Sequence, residues 1–133
     1  MAGTVTQAVT TVVDHIKVVT LTCTADASDG SFPATTLTVL PRNGKGGRLL
    51  QMITNPGTTA PQDNYDITLT SEGADMLLGG GANRDTANTE IAFVESNGAH
   101  PVYAGTDTLV LNVTGNNVNS ATSVIKLYFV EGA

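Results

Sequence analysis

Tyr65-Asp66-Ile67-Thr68-Leu69-Thr70 is followed at once by Ser71-Glu72-Gly73 and then by Ala74-Asp75-Met76-Leu77-Leu78. Apolar residues at 65, 67 and 69 alternate with polar residues at 66, 68 and 70. Period-two alternation over six residues places one face in a core and the other in water, which is the pattern of a half-buried strand. Glu72-Gly73 then supplies turn chemistry, so the two runs read as a hairpin, with Ala74, Met76 and Leu78 aligned on the second strand.

The same reading extends outward in both directions. In His15–Ala25 the residues Val19, Leu21, Cys23 and Ala25 share one face, and Thr20, Thr22 and Thr24 share the other. Thr35–Leu40 puts Leu37 and Val39 on one side before Pro41, and Arg42 to Gly47 reads as a loop. Arg48–Thr54 is apolar on both faces, as in a central strand, and Asn55-Pro56-Gly57 reads as a turn. Gly79 to about Asn88 reads as a loop with one short helical turn. Thr89–Val94 is again apolar on both faces, so Phe93 is expected inside with Tyr65 and Phe129. A long loop then passes Asn97-Gly98 and His100-Pro101. Thr108–Thr114 and Ser123–Val130 complete the series. No long helical period is present. The expected fold is all-β: a single antiparallel β-sandwich, jelly-roll-like, of about eight strands.

Residues 15–133 are assigned to the sandwich, and residues 1–14 to an N-terminal arm or edge strand. Thr4–Val13 is β-prone but lacks clean alternation. It reads either as a first edge strand or as an arm that adds a strand to a neighbouring subunit. In either case Val5 and Val9 are candidate contact residues.

The chain has 133 residues, 14% of them charged, and a net charge of −6 from six basic and twelve acidic residues. Average soluble proteins carry about 25% charged residues; Thr, Val, Asn and Gly take their place here. An uncharged polar surface fits a subunit that partners cover. Nucleic-acid binding requires concentrated positive charge, so that class is set aside. No apolar run approaches the roughly 20 residues of a membrane span, and the first residues lack the basic and apolar regions of a signal peptide. Cys23 is the lone cysteine, so no intrachain disulfide is expected, which suits a reducing cytoplasm.

Chemistry-bearing patterns are sparse. His15 and His100 lie in no nucleophile or metal motif, and no enzymatic activity or cofactor is expected. Asp26 with Asp29, and Asp63 with Asp66, lack a full calcium-ligand spacing and read as turn-forming residues. Gly44-Lys45-Gly46 lacks the spacing of a phosphate loop. Arg42, Lys45 and Arg48 gather half of the basic residues, either at a solvated hairpin tip or as a docking contact for an acidic surface. With no Trp, and with only Phe32, Tyr103 and Tyr128 left outside the expected core, an aromatic platform for sugars has little to stand on.

The run Pro61-Gln62-Asp63-Asn64-Tyr65-Asp66-Ile67-Thr68-Leu69-Thr70, with Gly73-Ala74-Asp75-Met76-Leu77, Gly81-Ala82-Asn83-Arg84-Asp85-Thr86 and Leu109-Val110-Leu111-Asn112-Val113-Thr114-Gly115, resembles small structural proteins encoded in tailed-bacteriophage genomes. The resemblance spans roughly residues 48–130 and rests on strands and turns, so no site residue carries over from it. It implies a virion component made in the host cytoplasm. A chain this short and acidic looks most like a head decoration (cement) protein on the capsid surface, a homo-oligomer, often a trimer, bound to the major capsid protein. Another virion part of the tail, baseplate or fibre is the alternative, and a cellular β-sandwich binding module the second.

Overall fold

Ten strands follow one another among the described residues: β1 (Thr4–Val13), β2 (Ile16–Thr24), β3 (Thr35–Thr36), β4 (Gly47–Pro56), β5 (Asp66–Ser71), β6 (Ala74–Asp75), β7 (Glu90–Phe93), β8 (Val102–Tyr103), β9 (Leu109–Thr114) and β10 (Thr122–Glu131). They come from a computed structural model that describes residues 2–38, 46–104 and 107–131. No helix occurs among the described residues.

The strands form two antiparallel sheets. The larger runs β1-β2-β10-β4-β7, with β8 also paired to β4; the smaller runs β3-β9-β5-β6. The fold is an all-β sandwich. Its core lies where the alternation predicts it. Val19, Leu21 and Cys23 of β2 are fully buried, as are Ile125, Leu127 and Phe129 of β10, and they face Ile67, Leu69, Leu109 and Leu111 of the smaller sheet. Tyr65 is also fully buried, and its hydroxyl meets Ser123 Oγ at 3.2 Å. That bond gives each of the two buried hydroxyls a partner.

Two-residue turns make the hairpins. Glu72 and Gly73 both have positive φ, 52° and 85°, between Ser71 and Ala74, which pair directly. Positive φ at both central positions suits the right-handed twist of the flanking strands. Asp14-His15 also closes β1 onto β2 in two residues, since Val13 pairs with Ile16, with positive φ at Asp14 alone. His15 thus belongs to a turn. Thr4–Val13 is the edge strand of the larger sheet.

Several expectations need correction. Asn55 and Pro56 are not a turn: β4 runs through them, and Pro56 pairs with Ser123. Gly57 N–H still reaches the Thr122 carbonyl at 2.8 Å, so backbone pairing along β10 outlasts the local turn propensity. Ala74, Met76 and Leu78 do not align. The Asp75 carboxylate accepts N–H groups from Leu69 (3.2 Å), Leu77 (3.0 Å) and Gly79 (3.0 Å). This ends β6 after two residues and turns Met76 and Leu77 inward together while Leu78 is left exposed. Gly79 to Asn88 contains turns and no helix. The loop expected after Val94 contains β8. Of Thr35–Leu40, Thr35 and Thr36 pair with Leu111 and Val110, the Leu37 N–H reaches the Leu109 carbonyl at 2.9 Å, and Leu37 is buried; Val39 and Leu40 lie outside the described residues.

The register of β4 slips against β10 between Tyr128 and Phe129, which pair with Gln51 and Leu49 respectively. Leu50 is the extra residue of a β-bulge. The bulge also divides the outer edge of β4: β7 pairs with Gln51–Thr54 and β8 with Gly47–Arg48.

Candidate docking surface

A sandwich has two inner faces and two outer ones. Directly paired residues lie on the same face of an antiparallel sheet, so the pairing fixes what each outer face presents. On the smaller sheet the outward set is Asp66, Thr68 and Thr70 of β5 with Thr114, Asn112 and Val110 of β9. That face is polar.

The outer face of the larger sheet is different. One row carries Val102, Arg48, Val130, Ile16 and Val13 across β8, β4, β10, β2 and β1. The next carries Phe93, Gln51, Tyr128, Val18 and Thr10, and a third Ile91, Ile53, Lys126, Thr20 and Ala8. Phe93 and Val102 are each 73% exposed, Ile91 56% and Val13 53%. Beside them Ile53, Tyr128, Val130 and Ile16 are half-buried. Apolar side chains therefore recur in all three rows between the β7/β8 edge and the β1 hairpin, interrupted on β4 by Arg48 and Gln51 and on β10 by Lys126. Isolated exposed apolar residues are ordinary, whereas contiguous ones on a rigid sheet mark an interaction surface.

Charge sharpens the picture. The strand positions of this face hold Arg48 and Lys126, both exposed, and no carboxylate, although the chain as a whole carries −6. The face is apolar and cationic on an acidic molecule.

The burial of β7 departs from its apolar pattern. Apolar residues on both faces of Thr89–Val94 place Phe93 inside by pattern. The strand is instead at the sheet edge, and Phe93 points to solvent. Tyr103, expected outside the core, is 2% exposed and packs edge-on against Phe129, with ring centroids 5.5 Å apart. Tyr128 does lie on the outer face, half-buried.

The sequence candidates separate in space. Arg48 stands on the apolar face. Val5 and Val9 occupy inward positions of β1, opposite Cys23 and Val19; Val5 packs against the core, while Val9, 41% exposed, projects at its margin. Arg42 and Lys45 lie outside the described residues.

Several other polar groups are held in hydrogen bonds within the fold. Arg84, unassigned from sequence, is 6% exposed. Its Nε and Nη2 donate to Thr54 Oγ1 at 3.3 and 3.1 Å and its Nη1 to the Gly80 carbonyl at 2.8 Å. Glu90 lies 3.4 Å away. Asp26 accepts N–H groups from Ser28 and Asp29. Asp29 in turn accepts the Ser31 N–H, which holds its carboxyl below the usual carboxylate range. These are the turns expected of such residues. His100 Nδ1 lies 2.6 Å from the Val94 carbonyl, and burial pushes the Cys23 thiol up to about 12. Among the described residues no three His, Cys, Asp or Glu side chains gather as metal ligands would, and no helix is long and apolar enough to cross a membrane. Comparison with protein-family models, curated proteins and solved structures finds no match for this chain.

Proposed function

We propose that this protein is a virion structural component, a decoration or cement protein, that docks on the assembled head of a tailed bacteriophage through the outer face of its larger sheet. The observation that carries the docking reading is that face: Phe93, Ile91 and Val102 exposed on a rigid sheet, with Arg48 and Lys126 as its only strand charges. Such a surface fits an apolar partner surface rimmed with carboxylates. Two of these faces pressed together would set like charges on one another, which favours a different protein as partner.

The head assignment rests on the sequence resemblance. Strand order supports it at the level of analogy. Leaving aside β1 and β8, the sheets run β2-β10-β4-β7 and β3-β9-β5-β6, and the chain passes repeatedly from one to the other. We read this as jelly-roll-like, an architecture common in capsid proteins but not confined to them. A cement protein binds only the finished lattice and so stabilises that state by mass action.

The test is to quantify the protein in purified virions and in tailless heads. Hundreds of copies per particle, retained by tailless heads, are expected. A few copies that follow the tails point to a tail or baseplate part instead, and absence from virions overturns both.

A further inference from the structure

A sheet edge is a row of unpaired N–H and C=O groups, and proteins blunt such edges with short strands, charges or prolines. Three edges of this sandwich are blunted. The smaller sheet ends in β3 and β6, two residues each, and the larger sheet ends on one side in β7 and β8, of four and two residues. Among the described residues the fourth edge is β1, ten residues long, with β2 as its one strand partner. Between Thr4 and Val13 it holds no charged residue, no proline and no glycine, and its only irregularity falls between Thr11 and Val13, beside the turn.

This strand is also held ready. The Gln7 amide donates to the Thr36 carbonyl at 2.9 Å and accepts the Thr38 N–H at 2.8 Å. These two bonds tie the middle of β1 across to the smaller sheet, so its free edge is preorganised.

The sequence of the edge has a symmetry that suggests its occupant. Thr4-Val5-Thr6-Gln7-Ala8-Val9-Thr10 reads nearly the same in both directions about Gln7. Antiparallel pairing of two identical strands about a two-fold axis sets residue i opposite residue 14 − i when Gln7 lies on the axis. Thr4 then meets Thr10 of the second copy, Val5 meets Val9, and Thr6 meets Ala8. Each pair lies on one face, as the pleat demands. The exposed Val9 gains a β-branched neighbour, a favourable cross-strand pair. Lys126 of one copy stands about 24 Å from that of the other, five strand spacings away, beyond the screening length of about 8 Å.

We infer that the free edge of β1 binds a second copy of this chain, joining two six-stranded sheets into one continuous sheet centred on Gln7. The axis is perpendicular to the sheet, so both apolar outer faces look the same way. This inference does not depend on what those faces bind.

The register makes it testable by charge. Thr6 and Ala8 are exposed on β1 and oppose each other across the axis. T6K/A8K sets lysine against lysine twice, and T6K/A8E sets lysine against glutamate twice. Light scattering of the full chain at about 100 μM, where a micromolar dimer is filled, is expected to give twice the monomer mass for wild type and T6K/A8E, and the monomer mass for T6K/A8K. Hydrogen exchange on the wild-type chain is expected to protect β1 amides more as concentration rises. A wild-type monomer or trimer, a dimeric T6K/A8K, a monomeric T6K/A8E, or β1 exchange indifferent to concentration overturns the inference.

Discussion

Arg84 shows how a single side chain can bind the two layers together. Its backbone bridges to Tyr65, with N–H donating to the Tyr65 carbonyl at 2.7 Å. Its guanidinium reaches the buried Thr54 hydroxyl on the other sheet. Replacing it with alanine strands the Thr54 hydroxyl and the Gly80 carbonyl without a charged donor. Arg84→Ala is expected to lower stability by about 2–3 kcal/mol, read from the midpoint of urea unfolding at unchanged slope. Cys23 gives a second residue-scale outcome. Burial raises its thiol from an ordinary value of 9.0 to about 12. A raised folded value means that the associated stability is full below pH 9.0 and is lost as pH rises from there towards 12. At neutral pH the native thiol is expected to react with a disulfide reagent on the order of a hundredfold more slowly than the urea-unfolded chain.

At the scale of the element, two glycines separate conformational freedom from close approach. Gly73 has φ 85° with open space where a side chain would go, so its role is backbone conformation alone. At Gly81 an added Cβ would collide with the Ile67 carbonyl, and the Gly81 carbonyl itself accepts the Ile67 N–H at 2.8 Å. Gly73→Ala is expected to cost about 1 kcal/mol. Gly81→Ala is expected to cost more, because the loop must leave β5 to make room. Thermal melting of both variants orders the two effects, and equal losses would contradict the close-approach account. The β5–β6 hairpin itself was legible from Glu72-Gly73. The early end of β6 was not, because it depends on three N–H groups converging on Asp75, one of them from the neighbouring strand.

For the whole molecule, the contrast between the two outer faces is the feature with functional consequence. Phe93 contributes little to the core, so Phe93→Ser is expected to change stability by no more than about 0.5 kcal/mol. The same change is expected to weaken retention on heads at least tenfold, since it removes the largest exposed apolar side chain from the docking face. Sedimentation of labelled wild-type and variant protein with heads measures it, and equal retention would remove this face from the docking reading. Binding is also expected to weaken as salt rises if Arg48 and Lys126 meet carboxylates.

The sequence by itself determined the fold class and most of the core. Alternation at Val19, Leu21 and Cys23, at Tyr65, Ile67 and Leu69, and at Ile125, Leu127 and Phe129 names the inward residues, because period two is a local property of the backbone. It also determined the near-palindrome of β1 and offered this strand as an edge strand or an arm, and the tertiary structure decided for the edge. Only the tertiary structure decided which strands are central and which are edges. Arg48–Thr54 and Thr89–Val94 are both apolar on two faces; the first is central to the sheet and the second ends it. Local pattern reports that a side chain is apolar, but burial depends on what the rest of the chain places above it, and nothing in the described structure covers Phe93, Ile91 and Val102.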